Sequence, residues 1–226
     1  MTTNGLIVAL LALTVTLQSV IMYKQQKNSR QSSTTSQSVR PAKKGSSLDL
    51  SGLPVKGNKT ARVAVVEFSD YECPFCARYS TTVAPEFDKE FVVTGKVPYV
   101  FVNLPLAIHK SAKLLATAAI CGGDQLGYWN MHKVLFDRRP TDKTQLFSLM
   151  TTLNLNAPKF EECLERSPQP VETIEQDLKK AASLNLSVTP SFAIGRVYDN
   201  NQLVIEKFID GAQPIEVFQQ AIKDLM

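Results

Sequence analysis

The 226-residue chain is poor in the residues that build metal centres and stapled miniature folds. It has four cysteines, two histidines and one tryptophan. Four cysteines cannot scaffold a chain of this length, so a hydrophobic core must hold it. A zinc site needs two ligand pairs. Only Cys73 and Cys76 lie close together, while Cys121, Cys163, His109 and His132 are isolated. Charge of one sign is scarce as well. The net charge of +4 belongs to residues 1–50, where six basic side chains face Asp49 alone. Residues 51–226 carry nineteen basic and twenty acidic side chains. A near-neutral body argues against a nucleic-acid-binding domain. With 44% hydrophobic and 20% charged residues, the composition is globular. There is no internal repeat.

What is present begins with an apolar run. Gly5 to Met22 carries no charge, and as a helix it reaches ~27 Å, enough for a bilayer core. No Lys or Arg precedes it, and it ends in bulky Val20-Ile21-Met22-Tyr23. A cleavable signal has a basic start and a small-x-small end. Residues 1–23 therefore read as a membrane anchor, with a cleaved signal as the alternative. Residues 24–50, mostly Gln, Ser, Thr, Asn, Lys and Arg, read as a flexible tether. The basic residues follow the span, and the positive-inside rule would put the body in the cytoplasm. The cysteines argue for the other side.

In the body, Arg62 to Phe68 is apolar on both alternate sets, the pattern of a central strand covered on both faces. A helix opens at Cys73-Pro74-Phe75-Cys76, with Pro74 suited to its first position. Phe75, Tyr79, Val83, Phe87 and Phe91 recur every four residues and predict one buried face. Pro85 predicts a kink. Lys96 to Leu104 reads as a second strand, which makes a parallel strand–helix–strand unit. A helical region follows over about 107–186, punctuated by Gly122-Gly123, Pro140, Pro158, Pro168 and Pro170. Phe192–Tyr198 and Leu203–Ile209 read as a strand pair, and Pro214–Leu225 as a closing amphipathic helix.

The cysteine pair thus sits between a buried strand and a helix N-terminus. Helix-end N–H groups favour an anion there, so the first thiol should ionise readily. The thiolate is the species that attacks a disulfide. Cys73 is expected to be the exposed nucleophile and Cys76, one turn in, the resolving thiol. Half of a zinc site and a strained structural disulfide are the alternatives.

Glu67-Phe-Ser-Asp-Tyr-Glu-Cys-Pro-Phe-Cys76 resembles the active-site segment of the DsbA-like thiol–disulfide oxidoreductases. Ala118–Phe136, Val188-Thr-Pro-Ser-Phe192 and Ile209-Asp-Gly211 resemble three later segments of that family, in order. The resemblance implies a thioredoxin fold over residues 51–226 with an inserted helical subdomain. It implies catalytic roles for Cys73, Cys76, Glu67 and Pro190. Pro190 would take the cis bond after Thr189, placing the Thr189 backbone beside Cys73 to meet a substrate strand. The alternative is an ordinary trans proline. Glu67 would be a buried acid that relays the proton of Cys76; a strand-end acid reaching solvent is the other reading. Cys121 and Cys163 match a second cysteine pair of some relatives, and would form a structural bridge or remain free thiols. A bridge requires an oxidising compartment.

The implied function is disulfide exchange with unfolded or reduced proteins, chiefly disulfide formation outside the cytoplasmic membrane. A membrane redox partner would reset the site, and no metal or organic cofactor is called for. Reductase, isomerase, or a tethered chaperone with an incidental cysteine pair are the rivals. One departure stands out. Phe75 occupies the place where the best-known family members carry a polar residue or histidine, and it cannot donate a hydrogen bond to Cys73. With Pro74 and Thr189 it is expected to contact substrate, and with Tyr71 and Phe192 to border an apolar patch. His109 and His132 read as packed or surface histidines.

Overall fold

Strand β4 (Val63–Ser69) is central because Val, Ala and Phe fill both of its faces, and all seven residues are buried. The structure, a computed structural model, describes residues 18–26 and 38–226. β4 pairs in parallel with β5 (Tyr99–Asn103) and antiparallel with β6 (Ser191–Val197). β6 turns back into β7 (Gln202–Asp210). Three short strands complete the sheet among the described residues. These are β1 (Val39–Pro41) and β2 (Ser47–Asp49), both on β7, and β3 (Val55–Lys56) on β5. The order is β1-β7-β6-β4-β5-β3, with β2 sharing the β7 edge.

Between β4 and β5 run α1 (Pro74–Thr82), α2 (Ala84–Phe87) and one wide helical turn at Asp88–Val92. Pro85 divides this stretch as expected, for the helix stops at Val83 and restarts at Ala84. The insertion between β5 and β6 holds α3 (Ala112–Leu126), α4 (Tyr128–Arg138), α5 (Lys143–Thr152), α6 (Ala157–Arg166) and α7 (Pro168–Ser183). α8 (Ile215–Lys223) closes the chain. Tyr79, Phe87, Phe91, Phe192 and Phe218 form the core on one side of the sheet. Val66, Phe68, Ala181, Leu184 and Leu186 form it on the other. The insertion contributes a third cluster around Leu115, Leu135, Phe136 and Phe160, which reaches Cys73 and Cys76.

Two expectations need correction. Residues 24–50 are not one flexible stretch: 39–41 and 47–49 are strands. Their amides satisfy the β7 edge, and Leu48 is buried, giving a polar segment one apolar anchor. Gly122-Gly123 does not break the helical region either, since both lie inside α3. A Cβ on Gly122 would stand 2.6 Å from the sulfur of Met131, itself buried on α4. Glycine thus leaves the space that the buried Met131 side chain fills between α3 and α4. Gly122→Val is expected to destabilise the protein by ~1–3 kcal/mol through overpacking, read as a lower urea midpoint. An unchanged midpoint would show that the Met131 side chain repacks without cost.

Of the segment expected to anchor the chain, residues 1–17 lie outside the described residues, as do 27–37 of the expected tether. Residues 18–26 are helical. Among the described residues no helix is long and apolar enough to cross a membrane.

Candidate active site

The site forms where β4 runs out into the turn Asp70–Cys73 and α1 begins. Cys73 is the N-cap residue, with extended backbone, and Pro74 fills the first helical position, where its missing N–H leaves nothing unsatisfied. The Cys73 N–H donates to the Asp70 carbonyl at 3.1 Å, and the Cys73 carbonyl accepts from the Ala77 N–H at 3.1 Å. Cys76 lies one turn in and is fully buried.

Cys73 is not the exposed thiol expected; only 3% of the residue is accessible. The loop before β6 covers it. Thr189-Pro190 is a cis peptide, and the Cys73 thiol donates to the Thr189 carbonyl at 3.4 Å. The Gly211 N–H donates to the Pro190 carbonyl at 2.8 Å, so the end of β7 holds this loop in place. The structure thereby brings Cys73, Cys76, Pro74, Thr189 and Pro190 together.

The two thiols are free and face opposite electrostatics. Hydrogen bonding from Cys76 is the largest influence on Cys73, aided by the Thr189 side chain and the backbone N–H groups of Cys76 and Phe75. Burial opposes them, and the Cys73 pKa is still lowered to about 5. Burial pushes Cys76 far up, and its hydrogen bond to Cys73 and the charge of Glu67 add to this.

Glu67 does not reach solvent from the strand; it is 1% accessible. Burial pushes its pKa up to about 7, while a hydrogen bond donated by the Tyr99 hydroxyl pulls the other way. Tyr99 is a site residue that sequence reasoning missed. Its only signal was its place in the parallel neighbour of β4, where it stands opposite Val65, two residues from Glu67.

Phe75 leaves the buried stripe predicted for it. Tyr79, Phe87 and Phe91 are buried, but Phe75 is 54% exposed, with the Arg78 guanidinium 5.4 Å from its ring centre. Tyr71 and Phe192, expected to border an apolar patch, are buried instead. Tyr71 packs against Phe136 with ring centres 4.7 Å apart, and Phe192 against Tyr79 at 4.6 Å. Besides Phe75 in α1, exposed apolar side chains on the loops of the site are Val188 at 53% and Ile108 at 80%. His132 is packed as expected, and burial lowers its pKa to about 3. His109 is neither packed nor merely superficial, for it pairs with the buried Asp70 at 2.8 Å. Cys121 and Cys163 are bonded to each other across α3 and α6, which removes them as partners for a zinc site at Cys73 and Cys76.

A buried thiol pair at a helix N-terminus, one member strongly acidified and the other strongly basic, defines a thiol–disulfide exchange centre. The thioredoxin family model matches residues 51–224. The chain belongs to that family, as a DsbA-like thiol–disulfide oxidoreductase. Over 183 residues it is 26% identical to disulfide bond formation protein D of Bacillus subtilis, covering 77% of this chain and 79% of that one. A 145-residue stretch is 34% identical to part of Na(+)/H(+) antiporter NhaA 1 of Salinispora arenicola, and spans only 21% of that protein. The crystal structure of Wolbachia pipientis alpha-DsbA1 shares the fold, with a TM-score of 0.67 at 23% identity over 79% of this chain and 92% of that one.

Proposed function

We propose that this protein oxidises reduced protein substrates on the outer side of the cytoplasmic membrane, using Cys73 as the exchanging sulfur and Cys76 as the resolving one. The opposite ionisation of the two thiols carries the reading. In the oxidised state the two sulfurs are joined. A substrate thiolate attacks the Cys73 sulfur, the bond to Cys76 breaks, and Cys76 takes a proton. Glu67, held at about 7 by burial, is the group suited to supply that proton. The second substrate thiolate then attacks the substrate's own sulfur in the mixed disulfide and releases Cys73 as a thiolate. Two electrons pass from the substrate dithiol to the active site, and the substrate leaves with a disulfide.

The polar groups of Thr189 beside Cys73 suit an extended substrate backbone, with Phe75 and Pro74 at its flank. A membrane redox partner takes the electrons away and restores the active-site disulfide, without metal or organic cofactor. The Cys121–Cys163 bridge supports an oxidising compartment, and residues 5–22 would hold the body at the membrane.

Cys76→Ser tests this directly. Without the resolving thiol, mixed disulfides between Cys73 and cellular proteins should accumulate and disappear on adding reductant. Absence of adducts would sink the exchange mechanism. Labelling of intact cells with a membrane-impermeant thiol reagent should reach Cys73; labelling only after permeabilisation would put the body on the cytoplasmic side.

A further inference from the structure

We infer that Arg40, on a strand that precedes the thioredoxin-family domain, is a positioning residue for substrate: acting through Asp210 and Ser191, it keeps the loop at Val188, Thr189 and Pro190 in the form that receives a polypeptide beside Cys73. The inference rests on the reading of the Thr189 backbone as a substrate contact.

Covering the β7 edge asks nothing of the β1 side chains, because the backbone does it. Arg40 nevertheless reaches along the strand toward the active-site end of the sheet. It stands opposite Phe208, and its guanidinium lies over that ring, 4.2 Å from the centre. Its Nε–H donates to one oxygen of the Asp210 carboxylate at 2.8 Å. Asp210 ends β7 opposite Ser191, the residue after Pro190. The buried Ser191 hydroxyl has two acceptors within reach, the Val188 carbonyl at 2.8 Å and the second Asp210 carboxylate oxygen at 3.2 Å. A chain of polar contacts therefore runs from Arg40 through Asp210 and Ser191 to Val188. It ends one residue from the Thr189 carbonyl, which accepts the Cys73 thiol.

A hydroxyl has one proton to give. The shorter contact assigns it to Val188, so Ser191 pins the residue before Thr189. Asp210 competes for the same proton, and a carboxylate is the stronger acceptor of the two. Arg40 decides this competition by engaging the carboxylate and offsetting its charge. Without Arg40 the carboxylate draws the serine proton, the Val188 carbonyl loses its partner, and the loop is loosened. A substrate must then order the loop as it binds, which costs affinity. The Arg40 and Asp210 side chains are 43% and 37% accessible, and an ion pair so exposed adds little to stability. Its effect falls on the shape of the loop, whose Val188 side chain faces outward.

The test uses full-length Arg40→Met, Arg40→Lys and the double variant Arg40→Met, Asp210→Asn, each assayed as an oxidant of a two-cysteine peptide and of dithiothreitol. The peptide has a backbone to lay against the loop, and dithiothreitol has none. Arg40→Met should raise the peptide KM by ~three- to tenfold, the size of one hydrogen bond, with kcat and the dithiothreitol rate within about twofold of wild type. Arg40→Lys should recover most of the loss. The double variant should return KM close to the wild-type value, because a neutral amide at 210 no longer outcompetes Val188. If the ion pair merely held the strand down, the second substitution would leave the first uncorrected. An unchanged peptide KM, or a rise that Asp210→Asn does not reverse, overturns the inference. A dithiothreitol rate that falls in parallel with the peptide rate overturns it as well, since the thiols and not the loop would then be affected. If the wild-type protein fails to oxidise the peptide at all, it is the function proposed above that falls.

Discussion

Cys73→Ser is expected to bring peptide oxidation and insulin reduction to the uncatalysed background while leaving the protein folded. The serine hydroxyl can take the N-cap position, but it cannot form or accept a disulfide. A tethered binding module would keep its function after this change, and retention of function would overturn the exchange reading. The companion measurement is the pH profile of alkylation of the reduced protein. With the Cys73 pKa lowered to about 5, the rate should be half-maximal near that pH and level at neutrality. Cys76, pushed far up by burial, should stay silent. The reduced protein's stability should follow the same group. A depressed pKa gives stability that is fully present above the ordinary thiol range and is lost as pH falls through about 5.

The low pKa also bears on direction. At pH 7 such a thiol holds about thirtyfold more thiolate than an ordinary cysteine. Its intrinsic nucleophilicity falls by a similar factor, roughly 25- to 55-fold for a Brønsted slope near 0.4–0.5. As an attacking group, then, Cys73 gains nothing from its acidity. As a leaving group it gains throughout, because the thiolate released from the mixed disulfide is the stabilised species. Release of Cys73 is the last step of oxidising a substrate, so this chemistry favours donating a disulfide over accepting one.

The parts of the site legible in the sequence are those written in consecutive residues. β4 announces itself through apolar residues on both faces, and the Cys73–Cys76 pair through the proline that opens α1. Thr189-Pro190 was legible only by family resemblance, since nothing in its composition says that the bond is cis or that its carbonyl meets a sulfur 116 residues away. β1 and β2 were invisible for a different reason. Three residues carry no period, and each strand exists because β7 offers an unpaired edge, with Val39 opposite Ile209 and Leu48 opposite Leu203. Cys73 was misjudged because exposure was inferred from its helix position alone, while its cover comes from a distant loop. Asp70 and His109 show the same limit. Each is an unremarkable residue in a loop, and only the fold reveals that one carboxylate ties the two loops together.

Removing the bridge between Cys121 and Cys163 should carry the largest stability cost of any change outside the active site. The bond spans 42 residues of sequence and encloses α4 and α5. In the chain-entropy account, closing a loop of that length in the unfolded state contributes about 4 kcal/mol. A Cys121→Ala, Cys163→Ala double variant should therefore show a markedly lower urea midpoint than the wild type with the bridge intact. Much of that difference should vanish when the wild type is measured with its bridge reduced. Cys121 is buried in the cluster that also contains Cys73 and Cys76, so alanine adds a small packing loss to the entropic one. The backbone bonds at Cys73 run to Asp70 and Ala77, and its sulfur meets Thr189, all outside the bridged segment. The folded fraction of the variant should then keep the alkylation midpoint near pH 5. A loss below about 1 kcal/mol would mean that the insertion's hydrophobic cluster already orders this loop in the unfolded chain. A shifted alkylation midpoint would mean that the insertion positions the thiol pair as well as covering it. If the large loss is found, the bridge is a folding requirement, and a body that needs it can mature only where thiols are oxidised.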